Sequence, residues 1–215
     1  MRVLIAVEGT RGDVHPMLEL ARSLQSAGHG VRMCAPPDFE AQAALAGIEF
    51  WPMGESVQTF LTAKAQALHS RGPRFFAEMD RYGRRSLELQ FRVLPEAACG
   101  MDCVIAAGTV LAAASAAELH RIPYQYVAYT PALLPSAEHS PALMPLQLRS
   151  PRANRALWWI LTRGFLGLIA RRLSEPRRRL GLPSVREPLR HLLGERPIVA
   201  ADDFLAPLPR DRTHA

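Results

Sequence analysis

Lysine is almost absent from this 215-residue chain: Lys64 is the only one, and the rest of its 26 cationic residues are arginine. The net charge of +6 and pI near 9.9 therefore belong to a composition biased toward arginine, alanine, proline and leucine. No strand surface with interleaved aromatics accompanies the charge, and the densest run, Arg171, Arg172, Arg177, Arg178 and Arg179, closes a helical stretch. Cations are favoured at a helix end, so the run reads as a solvated face and no nucleic-acid partner is expected. Cysteine is scarce too: Cys34, Cys99 and Cys103 make an odd count with no zinc-type pairing or histidine cluster, which excludes a disulfide framework and a metal site. Long apolar runs are lacking. Val3–Val7 is too short for a leader and no small-residue cleavage site follows it, so a cytoplasmic protein is expected.

What is present is a chain that can bury a core, 48% hydrophobic and 21% charged. Short apolar runs alternate with helical patterns, which predicts a parallel sheet built from crossover units. The expected strands are Val3–Val7, Val31–Ala35, Ile48–Trp51, Asp102–Ala107, Tyr124–Tyr129 and Ile198–Ala201. Pro16 is placed at a first helical position after a loop of Glu8 to His15, Asp38 caps the next helix, and Gly108-Thr109 opens an alanine-rich helix to His120. Residues 54–100 read as an insertion of helix and loop, with a long helix carrying Tyr82, Leu87, Leu89 and Phe91. The segment Thr130 to Pro151 holds five prolines and reads as an ordered loop, the kind that more often carries function. A helix from about Arg152 to Leu180, interrupted at Gly164 or Pro176, follows it.

In an open parallel sheet, ligands bind beyond the carboxyl ends of the strands, where helix amino termini gather partial positive charge. The run Glu8-Gly9-Thr10-Arg11-Gly12-Asp13-Val14-His15-Pro16 occupies such a place. Gly9 and Gly12 allow a tight turn, Thr10 and Arg11 offer donors, and Asp13 and His15 are titratable groups at a helix mouth. The run is Gly-x-x-Gly only; a dinucleotide fingerprint needs a third glycine, which counts against a nicotinamide oxidoreductase, and no Walker A loop exists. By its position alone, Asp13 serves equally as a helix cap.

The runs VEGTRGDVHP, RMCAPPDFE, AAGTVLAAASAAELHRIPYQYVAY, GLP and VAADDFLAPLP, in that order, resemble the amino-terminal domain of bacterial antibiotic and sterol glycosyltransferases. The resemblance covers essentially the whole chain and implies one half of a GT-B fold: a Rossmann-like, doubly wound, mainly parallel sheet flanked by helices. It implies an acceptor-binding domain over residues 1–201, and a linker or tail over 202–215. It also implies a nucleoside diphosphate-sugar donor bound by a carboxy-terminal domain that this chain lacks. In that family the catalytic base, His or Asp, stands three residues before the proline, which is Asp13 here. Thr10, Arg11 and Gly12 would face the donor diphosphate and His15 the acceptor. An acceptor of apolar natural-product, sterol or lipid type would meet Phe60, Phe75, Tyr129, Thr130, Leu133, Leu134 and Met144, for each of which core packing is the equal alternative.

Inverting transfer needs a base to take the proton of the acceptor hydroxyl as its oxygen attacks the anomeric carbon. A carboxylate is a weak base, so positioning must supply much of the rate. The alternatives are a free-standing binding module and a subunit that pairs with a separate donor-binding chain. Leu157-Trp158-Trp159-Ile160-Leu161 and Phe165 to Ala170, bordered by arginines, are expected in a core or interdomain contact; peripheral membrane contact is the other possibility.

Overall fold

The computed structural model describes residues 1–59, 73–142 and 147–211. Six parallel strands form one sheet in the order β3-β2-β1-β4-β5-β6. They are β1 (Arg2–Glu8), β2 (Gly30–Ala35), β3 (Glu49–Pro52), β4 (Cys103–Gly108), β5 (Tyr124–Ala128) and β6 (Ile198–Val199). The chain divides into two compact units, Met1–Gln125 and Tyr126–Ala215, with the division inside β5.

In the first unit, β1 is buried from Val3 to Glu8, as an apolar run must be when both faces of a parallel sheet are covered. It pairs with β2 (Ile5↔Met33) and with β4 (Ile5↔Ile105). The chain steps from β1 outward through β2 to β3, then crosses to β4. The carboxyl ends of β1 and β4 therefore flank the point where the strand order reverses, the position at which open α/β sheets bind ligands. Helix α1 (Arg11–Ser26) buries Val14, Met17, Leu18 and Ala21, the i, i+3, i+4, i+7 stripe of an amphipathic helix. Helix α2 (Glu40–Leu45) follows a 3₁₀ turn at Pro37–Phe39.

Four local expectations change. Asp38 does not cap α2: its carboxylate accepts hydrogen bonds from Ser56 Oγ (2.8 Å) and the amides of Val57 (2.9 Å) and Gln58 (3.2 Å), far along the chain. The expected insertion contains helix α3 (Pro73–Ala97), which is the crossover connection from β3 to β4. Its buried face is also not the apolar set read from the sequence: Ser86, Gln90 and Leu94 are buried with Leu87, while Leu89 and Phe91 are half-exposed. Helix α4 (Ala113–His120) starts four residues later than expected, and Thr109 is not its cap.

The second unit contains the end of β5 and β6, paired through Val127↔Ile198 and Ala128↔Val199. After a 3₁₀ turn at Pro131–Leu133 and the proline-rich loop come α5 (Pro151–Ile160), one π-helical turn (Leu161–Phe165), α6 (Leu166–Arg179) and α7 (Pro188–Leu193). The interruption falls at Gly164, inside the π turn, and α6 runs through Pro176. Described residues either side of 143–146 are tied to α5: buried Asn154 accepts from Ser140 Oγ (2.8 Å) and donates to the carbonyls of Ala137 (2.9 Å) and Leu148 (3.1 Å). Trp158 Nε1 donates to the His139 carbonyl at 3.2 Å. Arg177, read as solvated, is buried, and its Nε donates to the Pro183 carbonyl at 2.8 Å beyond the helix end. Residues 202–211 form turns, and Asp211 accepts from Ser136 Oγ (2.5 Å) and the Ala137 amide (2.7 Å).

Candidate functional site

The residues after β1 do not form the long loop expected from the sequence. Helix α1 begins at Arg11, with Thr10 as its N-cap, so Asp13 lies in the first turn and Pro16 inside the helix. Proline has no amide to donate to the Gly12 carbonyl one turn earlier, so α1 forgoes one internal hydrogen bond there. Thr10 and Asp13 close on each other in a capping-box arrangement: the Asp13 amide donates to the Thr10 carbonyl at 3.0 Å, and Asp13 Oδ2 accepts from the Thr10 amide at 2.8 Å and Thr10 Oγ1 at 3.3 Å. One carboxylate oxygen is thereby fixed in direction.

Gly9 explains why that direction is available. Its φ is +152°, and a Cβ there would lie 2.2 Å from Asp13 Oδ2. Only a residue without a side chain lets the carboxylate fold back against the end of β1. Arg11 and Gly12 are exposed at the first two positions of α1, where helix amides make no internal bonds. His15 is exposed and stands edge-on to the Phe39 ring, with centroids 5.9 Å apart and planes at 87°.

Sequence reading missed Glu8. It is 1% exposed at the end of β1. Its carboxylate accepts from Ser86 Oγ (2.7 and 2.8 Å), Gln90 Nε2 (2.5 Å) and Tyr82 Oη (3.3 Å), all on α3. Burial raises its pKa above the ordinary glutamate value, and the three donors partly offset this. Tyr82, buried beside the same carboxylate, is raised as well. Gln90 carries the network onward: its Nε2 also donates to the Thr109 carbonyl (3.1 Å), and its Oε1 accepts the Ala112 amide (3.0 Å) at the start of α4. A side chain of α3 thus supplies the cap expected from Thr109. The only sequence signal was polar Ser86 and Gln90, spaced i, i+4 with Tyr82 on one helix face.

Four of the remaining site candidates fall on one segment, residues 129–134. Thr130 Oγ1 caps the 3₁₀ turn by accepting the Ala132 amide at 3.2 Å. Tyr129, Leu133 and Leu134 are half-buried in the second unit. Phe60 and Met144 lie outside the described residues, and Phe75 is placed only through its backbone in the first turn of α3. Among the described residues no cluster of three or more His, Cys, Asp or Glu side chains is arranged to hold a metal ion, and no helix is long and apolar enough to cross a membrane.

Residues 3–132 match the glycosyltransferase family 28 N-terminal domain. The glycosyltransferase GtfC of Amycolatopsis orientalis is 36% identical over 214 residues, which is 98% of this chain and 51% of that protein. The vancomycin aglycone glucosyltransferase of the same organism is 33% identical, with 97% and 50% covered. A sterol 3-beta-glucosyltransferase of Arabidopsis thaliana is 44% identical over 54 residues, or 25% of this chain. Among solved structures, the glycosyltransferase of kitacinnamycin superposes with a TM-score of 0.63 at 18% identity, covering 98% of this chain and 49% of that one. Glycosyltransferase VinC, solved with dTDP, gives 0.58 at 17% identity, with 96% and 50% covered. The fold is therefore the half of a GT-B architecture that the resemblance implied, and the chain spans about half the length of the curated relatives it matches. On the strength of the domain match over most of the described sheet and of relatives aligned along nearly its whole length, this chain belongs to the glycosyltransferase family 28 N-terminal domain family.

Proposed function

We propose that this chain is the acceptor-binding half of an inverting, nucleotide-sugar-dependent glycosyltransferase, acting on a hydroxyl of an apolar natural product, sterol or lipid. Asp13 is the base. It removes the hydroxyl proton while the acceptor oxygen bonds to the anomeric carbon. The bond from that carbon to the diphosphate breaks, and the nucleoside diphosphate leaves with the electron pair. Thr10, Arg11 and Gly12 face the diphosphate, for which the amides at a helix amino terminus are suited donors. His15 and the apolar residues of the 129–134 segment contact the acceptor.

The observation that carries this reading is the fixed Asp13 carboxylate at the carboxyl end of β1, with Oδ2 held 2.8 Å from the Thr10 amide. Alignment of a weak base is what general-base catalysis requires. The relatives' names support transfer of sugars to antibiotic and sterol acceptors, and the dTDP of VinC supports a nucleoside diphosphate donor.

The same bond favours a second reading, in which Asp13 is only a helix cap. Magnitudes separate the two. Loss of a cap costs about 1 kcal/mol of stability, whereas loss of a general base lowers turnover on the order of 10²–10⁴-fold, or about 2.7–5.4 kcal/mol of barrier. In the full-length protein, Asp13→Asn retains an oxygen for the Thr10 amide but cannot accept a proton. Turnover measured with a nucleoside diphosphate-sugar should fall by that factor while the melting temperature holds. Full turnover in Asp13→Asn, with only a small loss of stability in Asp13→Ala, would leave the cap as its whole role.

A further inference from the structure

The exposed face of α5, the π turn and α6 carries large apolar side chains that the second unit does not cover. Trp159 is 63% exposed, Ile160 53%, Phe165 51% and Leu168 45%. The opposite face is buried through Asn154, Trp158, Leu161, Leu166 and Leu173. The steps between these run four, three, five and seven, and the step of five from Leu161 to Leu166 is the π turn. That extra residue keeps the buried stripe continuous and leaves Trp159, Ile160, Phe165 and Leu168 outside it. The expected core or interdomain packing thus holds within the unit for Trp158 and not for its neighbour Trp159.

The charge around this face is one-sided. From Pro151 to Ser174 there are five arginines and no acidic residue. Arg152, Arg155, Arg163 and Arg171 are exposed; Arg155 and Arg163 lie four residues either side of Trp159, and Arg171 lies three beyond Leu168. Arg155 also faces Asp211, whose carboxyl is held below its usual range by Ser136, by the Ala137 amide and by this guanidinium. Arginine can lay its methylene stem along an apolar surface and keep its charge at the level of phosphate groups, while tryptophan prefers the same boundary.

We propose that this face docks on an anionic lipid membrane, with Trp159, Ile160, Phe165 and Leu168 entering the headgroup boundary and Arg163 and Arg171 meeting lipid phosphates. A second copy of the chain is a poor occupant, because pairing the face with itself opposes arginine to arginine. A lipid surface supplies both an apolar layer and the negative charge that attracts basic residues near it. The inference is independent of the glycosyl transfer reaction.

The test is sedimentation of the full-length protein with vesicles of phosphatidylcholine alone and of phosphatidylcholine mixed with phosphatidylglycerol. The bound fraction should be on the order of tenfold higher on the mixed vesicles and should fall as salt is raised. Arg163→Glu with Arg171→Glu should abolish that preference. Trp159→Ser with Phe165→Ser should weaken binding to both vesicle types, with melting temperatures checked for each variant. Wild-type salt dependence remains a readout should a variant fail to fold. Equal binding to the two vesicle types, no binding to either, or unchanged binding by the variants overturns the proposal. So does a wild-type dimer that Trp159→Ser dissolves, or exchange protection of residues 159–168 in the full-length protein without vesicles, since another part of the protein then covers the face.

Discussion

Gln90 Nε2 on α3 donates to Glu8 Oε2 at the end of β1 across 2.5 Å, although 82 residues separate them along the chain. The bond joins the crossover helix to the strand that leads into the Asp13 turn. Through its carbonyl oxygen and its second donor bond, the same glutamine holds the entrance to α4. An isolated buried carboxylate would cost several kcal/mol, so the fold depends on these neutral donors being complete.

Glu8 should give stability an inverted pH response. Its native pKa is raised, first by burial, so the folded state holds the proton more tightly than the unfolded chain. Its contribution is fully present below the unfolded value of about 4.3 and is lost as pH rises through the native value. Glu8→Gln removes that dependence. Urea titrations of both proteins should show the variant gaining on the wild type as pH rises from mildly acidic to neutral; parallel curves would mean that Glu8 ionises alike in both states.

Removing Gln90 tests the hub from the other side. Gln90→Leu keeps the volume but strips a donor from Glu8 and an acceptor from the Ala112 amide. The Ala112 amide then loses its acceptor and Glu8 keeps only Ser86 and Tyr82 as donors, so a loss of about 1–3 kcal/mol is expected. Thermal unfolding monitored by circular dichroism reads it directly.

The two strand-end glycines should respond differently to alanine. At Gly108, φ is +69° and a Cβ would stand 2.2 Å from the Glu8 carbonyl oxygen, which is backbone and cannot move aside. Gly108→Ala should cost stability by at least about 2 kcal/mol. At Gly9 the obstacle is the Asp13 side chain. Gly9→Ala displaces that carboxylate, so turnover of the full-length protein should fall by a larger factor than the melting temperature explains.

Asp38 provides the opposite pH sign. Burial opposes its charge, but hydrogen bonds from Ser56 and from the amides of Gln58 and Val57 outweigh this and lower its pKa. Its stabilisation is present above the unfolded value of about 3.9 and is lost as pH falls through the lowered native value. Asp38→Ala should cost about 0.5–2 kcal/mol at neutral pH and little in strong acid, in the same titrations used for Glu8.

The strands were legible because a run such as Val3–Val7 has few alternatives once both its faces must be buried. The helix starts were less so. Thr10 and Asp13 carry a capping-box pattern, yet Pro16 suggested a later start, since proline is commonest at the first helical position. The caps from Asp38 and Gln90 reach residues 18–22 positions away, beyond any local pattern.

The sequence by itself determined the alternation that makes a parallel sheet, the placing of a Gly-x-x-Gly turn after its first strand, and the family to which that order of motifs belongs. These are local or linear properties, written in hydrophobic period and turn residues. Tertiary structure alone decided that Glu8 is buried among Ser86, Gln90 and Tyr82, that Asp13 folds back over Gly9, and that Trp158 is covered while Trp159 is not. The physical reason is that burial and hydrogen bonding depend on which distant segments a strand order brings together, and no periodicity along one segment records its partner.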